Sequence, residues 1–89
     1  MIRKEFEICN KLGLHARAAA KLVQCAAHFE SQIDIERRGQ SVNCKSIMGV
    51  MMLAASQGTK VRVEARGDDE EEAILAIETL IRERFGEPE

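Results

Sequence analysis

No tryptophan and no tyrosine occur in this chain, and phenylalanine occurs only at Phe6, Phe29 and Phe85. The aromatic platforms on which single-stranded nucleic acids stack are therefore hardly provided for. Positive charge is not in excess either. Thirteen Lys plus Arg face 15 Asp plus Glu, a formal net charge of −2, so no global basic field attracts a polyanion. No apolar run approaches the ~20 residues of a membrane span, and Met1-Ile2-Arg3-Lys4-Glu5 does not lead into the apolar core of a secretory signal. These absences read as a cytoplasmic protein that binds neither nucleic acid nor membrane. Cys9, Cys25 and Cys44 are odd in number and widely spaced, and no Cys-x-x-Cys or His-x-x-His pattern completes a zinc site. Free thiols acting as small hydrophobes are expected, with no metal and no cofactor. No repeat or linker interrupts the chain, and its 89 residues leave room for one domain, 1–89, with one modest core.

What is present is a regular alternation of patterns. Residues 2–9 alternate, with Lys4, Phe6 and Ile8 on one side and Glu5 and Glu7 on the other, as in a half-buried strand. From Ala16 to Ala27 the apolar Ala19, Leu22, Val23 and Ala26 share one helical face, while Arg17, Lys21, Gln24 and His28 lie opposite. His28 suits the negative end of the helix dipole and is read as structural. Gln32–Arg37 and Gln40–Cys44 flank Arg38-Gly39 and predict a hairpin. Ile47 to Ala55 is almost wholly apolar: Val50 and Leu53 are expected to pack inward and Ile47, Met48 and Met51 to form an exposed patch. Lys60–Arg66 alternates again through Val61, Val63 and Ala65. Asp69 and Glu72 have the spacing of a capping box for a last helix, whose face carries Ala73, Ile77, Leu80, Ile81 and Arg84, with Ile74 beside them, and which Gly86 and Pro88 stop. The order βαββαβα implies an α+β fold, a four-stranded antiparallel sheet with three helices on one face.

The chemistry is expected in Asn10–Ala20. Leu12-Gly13-Leu14 turns the chain and sets His15 at the opening of the first helix, where backbone N–H groups lack partners and the dipole is positive. A doubly charged phosphoryl group is favoured there. A neutral imidazole, with an unperturbed pKa of about 6.5, offers one ring nitrogen as nucleophile near neutrality. Arg17, two residues on, carries a planar guanidinium suited to phosphoryl oxygens. Ser46 is an N-cap for the second helix.

Gly13-Leu14-His15-Ala16-Arg17 followed by small residues resembles the active-site signature of the HPr family, the histidine-containing phosphocarriers of the bacterial phosphoenolpyruvate-dependent phosphotransferase system. Lys45-Ser46-Ile47-Met48-Gly49-Val50-Met51 resembles that family's regulatory-serine segment at the expected distance. The resemblance implies an open-faced β-sandwich and a carrier rather than an enzyme. It implies that His15 accepts a phosphoryl group through Nδ1 from phosphorylated enzyme I and hands it to enzyme IIA domains. Arg17 would neutralise the group, and the amides of Ala16, Arg17 and Ala18 would be its hydrogen-bond donors. Leu14, Ile47, Met48 and Met51 would form the docking face of a monomer, and a serine kinase and phosphorylase would act on Ser46. Ala18 departs from the family's usual proline. Its restored N–H is expected to help hold the phosphoryl group at the expense of some rigidity in the turn. Two other readings stand beside the carrier: a regulatory binding module, including the nitrogen-related phosphotransferase branch, and, more weakly, a small RNA-binding domain.

Overall fold

The computed structural model describes all residues, Met1–Glu89. Its elements are β1 (Ile2–Glu7), α1 (Ala16–Ala27), β2 (Gln32–Arg37), β3 (Gln40–Asn43), α2 (Ile47–Met52), β4 (Lys60–Arg66) and α3 (Glu70–Arg82), followed by a short 3₁₀ turn, Arg84–Gly86. The four strands form one antiparallel sheet in the order β1-β4-β2-β3. The central β4 shows why alternation is legible: Val61, Val63 and Ala65 are buried while Lys60, Arg62 and Arg66 stay exposed. Arg38 and Gly39 both have positive φ, as a two-residue hairpin turn between right-twisted strands requires. No helix is long and apolar enough to cross a membrane.

Helix α1 buries Ala18, Ala19, Leu22 and Ala26, so the inward stripe includes Ala18 and leaves Val23 only half-buried. Helix α2 is shorter than expected. It ends at Met52, with Leu53 as C-cap, because Ala54 turns the chain at φ 51°. Val50 and Leu53 pack inward as anticipated.

The last helix departs from its sequence reading at both ends. Asp69 makes no side-chain cap and Glu72 does not join it in a capping box. The Asp69 carboxylate instead accepts the N–H groups of Glu30 (2.8 Å) and Ser31 (3.0 Å) and the Ser31 hydroxyl. Three donors from the α1–β2 loop outcompete one local amide, and the helix start is tied to the neighbouring layer. At the other end Arg84 does not continue the α3 face. Arg84 and Phe85 adopt positive φ, 57° and 55°, in a separate turn, and Phe85 is fully buried. Glu78, on the inward side, is nearly buried because Lys4 (3.0 Å) and Arg82 (2.8 Å) both pair with it.

The thiols differ in environment. Burial pushes Cys44 up to about 12, with Cys25 and Asp34 adding to the rise and Lys45 opposing it; burial also raises Cys25. Cys9 is exposed. Because the thiolate is the reactive form, iodoacetamide at mildly alkaline pH should label Cys9 first. Mass mapping should find Cys44 modified only after unfolding.

Candidate functional site

His15 is the N-cap residue of α1, with extended backbone (φ −70°, ψ 178°), and its ring makes no capping hydrogen bond. The turn before it is set by Gly13 at φ +67°, where a Cβ would lie 2.4 Å from the Ala55 carbonyl oxygen. Glycine is required there by conformation and by contact. The same turn sends Leu14 inward: its N–H donates to the Ala55 carbonyl (2.8 Å) and it is 5 % exposed. Leu14 therefore belongs to the core and does not present a docking surface, which corrects the expectation. Leu12, before the turn, is the leucine left on the surface.

An open pocket of about 800 Å³ lies around the imidazole, lined by Lys11, Leu12, His15, Ala16 and Arg17 on one side and by Glu87, Pro88 and Glu89 on the other. The Arg17 side chain is exposed and makes no hydrogen bond or ion pair within the chain, so its guanidinium is available. Ala16 is exposed as well. No part of Ala18 reaches solvent. Of the three first-turn residues, Ala16 and Arg17 reach solvent and Ala18 does not. The expectation that the Ala18 N–H is offered to a phosphoryl oxygen is corrected by its packing.

Glu87 is the residue that sequence reading missed. Its carboxylate meets Nε2 of His15 with Oε2 and accepts a hydrogen bond from Asn10 Nδ2 (3.0 Å) with Oε1. The second Nδ2 hydrogen of Asn10, a fully buried residue, goes to the Gly13 carbonyl (2.8 Å). Partial burial pulls the Glu87 pKa upward. Hydrogen bonds from Asn10 and His15 and the nearby His15 and Lys21 charges outweigh it, and the carboxyl sits below its usual range. It is ionised at neutral pH. The segment is held by Lys21 Nζ on the Phe85 carbonyl (2.7 Å), Lys11 N–H on the Glu89 carbonyl (3.0 Å) and Arg84 on the Pro88 carbonyl (3.1 Å). Nothing in the local pattern Gly86-Glu87-Pro88 marks it as more than a helix stop.

Ser46 is the N-cap of α2, its hydroxyl accepting the Gly49 N–H at 3.1 Å. Ile47, Met48 and Met51 are exposed, Met48 at 74 %, and Met52 extends the patch at 65 %. Helix α2 packs on α1, so the methionine surface and the His15 helix belong to one side of the molecule. His28, at the far end of α1, donates Nδ1–H to the Gln24 carbonyl (2.8 Å), the structural role expected of it.

Comparison with known proteins agrees with this architecture along the chain. The family described as "PTS HPr component phosphorylation site" matches residues 2–83, ending just before the turn that carries Phe85 and the Glu87 that follows it. The phosphocarrier protein HPr of Cupriavidus necator is 55 % identical over 89 residues, covering all of both chains. The crystal structure of HPr-C-His from Thermoanaerobacter tengcongensis superposes with a TM-score of 0.96 at 54 % identity, again covering all of both chains. A crystal structure of an HPr dimer from the same organism matches with a TM-score of 0.79 at 55 % identity, over 98 % of this chain and 100 % of that one. With a family match over nearly its whole length and full-length relatives at about half identity, this chain belongs to the HPr family of phosphocarriers of the phosphotransferase system.

Proposed function

We propose that His15 accepts a phosphoryl group on Nδ1 from phosphorylated enzyme I and passes it to a histidine of an enzyme IIA domain. The observation that carries this reading is the imidazole at the start of α1, free of capping duty and engaged only through Nε2, beside an unpaired Arg17. Arg17 neutralises the phosphoryl charge, and the Ala16 and Arg17 amides supply donors at the positive helix end. Phosphoryl transfer asks for little beyond such positioning and neutralisation. The patch of Ile47, Met48, Met51 and Met52 supports docking: flexible methionines suit a face that meets a donor and several acceptors in turn. The carrier is taken to be cytoplasmic, and since every group invoked comes from one chain, the reading needs no second copy and is of a monomer. Incubation with enzyme I and phosphoenolpyruvate should place on the protein one phosphate that is acid-labile and alkali-stable. A chain that stays unlabelled overturns the carrier reading and leaves the patch to a regulatory binding module.

Regulation at Ser46 is part of the same proposal. A phosphate there adds a charge of about −1.5 to −2 beside the docking patch. Two variants separate capping from regulation. Ser46→Ala removes the cap of a six-residue helix and should cost about 1 kcal/mol, a Tm lower by roughly 4–8 °C, with transfer nearly unchanged. Ser46→Asp keeps a capping oxygen and should hold Tm while slowing transfer from enzyme I by ~10-fold or more, through repulsion at an acidic partner face.

A further inference from the structure

Three features converge on the Nε2 side of the acceptor ring. A carboxylate only accepts hydrogen bonds, so Nε2 facing Glu87 must carry the ring proton, and the neutral imidazole then has its lone pair on Nδ1. The carboxylate is itself oriented. Asn10 is fully buried and spends both Nδ2 hydrogens, one on Glu87 and one on the Gly13 carbonyl, leaving only its Oδ1 without a partner. Flipping that amide would put oxygen against two oxygens, so its orientation is decided by the network. Lastly, the carboxylate is sheltered, its side chain 11 % exposed, and the segment bearing it is pinned at Phe85, Pro88 and Glu89.

We propose that Glu87, oriented by Asn10, is a positioning residue for phosphoryl transfer, holding the proton on Nε2 of His15 and pairing with the positive ring that forms when Nδ1 is phosphorylated. The inference rests on His15 being the acceptor. In the step itself the Nδ1 lone pair forms the N–P bond while the bond from phosphorus to the donor's leaving atom breaks, its electron pair departing with the donor. The proton remains on Nε2, and the ring passes from neutral to cationic. A fixed carboxylate beside that ring stabilises the charged product more than the neutral reactant, the requirement for a group that speeds the step. Carboxylates on the far nitrogen of a working histidine act in this way elsewhere, by setting tautomer and ring orientation.

The test uses the full chain labelled with ¹⁵N-histidine. The unphosphorylated protein should show a downfield Nε2–H proton of His15, protected from exchange at neutral pH; His28→Gln separates it from the other ring. Glu87→Ala should bleach that signal and slow phosphoryl uptake from enzyme I and phosphoenolpyruvate by about 10–100-fold, with unchanged dependence on donor concentration. Glu87→Gln, whose amide oxygen still accepts from Nε2, should keep the proton signal and recover part of the rate. A protected proton that survives in Glu87→Ala, or an uptake rate in that variant equal to or faster than that of the parent, overturns the proposal; a faster rate would make the segment a plug. A parent chain that takes up no phosphate overturns the carrier reading instead, and the ring signal still decides whether Glu87 holds the proton.

Discussion

His15→Ala will take up no phosphoryl label from enzyme I and phosphoenolpyruvate, a loss of at least ~10³-fold. The nucleophile is removed outright, and the pocket holds no second imidazole: the other ionisable side chains that line it are Lys11, Arg17, Glu87 and Glu89. The remaining histidine, His28, lies beyond the twelve-residue α1, about 20 Å away along the helix. The variant should still fold. The His15 side chain is 29 % exposed and caps nothing, so its removal opens no core cavity. Circular dichroism and Tm should stay close to the parent, which separates lost chemistry from lost structure. Label on His15→Ala would sink the site assignment.

Phe85→Ala will lose about 3–5 kcal/mol of stability, the usual cost of emptying a fully buried phenylalanine site. For a domain of this size that is a large share of a total of roughly 5–13 kcal/mol. The expected effect reaches the site as well. Phe85 sits at φ 55°, a region bulky residues avoid, and burial of its ring holds it there. With the ring gone, Glu87, two residues on, loses its anchor beside His15. Urea unfolding should show the lower midpoint, and the Nε2–H signal of His15 should broaden or vanish while the chain is still folded. Phe85→Leu refills part of the site and should recover most of both. A variant as stable as the parent would show that the turn is not held by the ring.

Much of the fold was legible because it is written in contiguous residues. The strand pattern of Lys60–Arg66, the Arg38-Gly39 turn and the face of α1 each follow from a period or a turn residue whose physical meaning is local. Errors fell where long-range partners outcompeted local ones. Asp69 looked like half of a capping box and became the acceptor for Glu30 and Ser31. Leu14 looked like a surface residue beside the nucleophile and became core, since the Gly13 turn directs it inward. Ala18 counted as a donor by its position in the first helical turn, and packing removed it from solvent.

By itself the sequence determined the element order, the histidine at the helix start with its neighbouring arginine, and the serine cap with its exposed methionines, since each is a spacing of a few residues. Only the tertiary structure decided what stands on the other side of the imidazole. Glu87 and His15 are 72 positions apart, and no periodicity or propensity spans that distance. Their meeting depends on a buried phenylalanine, a strained turn and a buried asparagine, three conditions satisfied together only when the chain is packed.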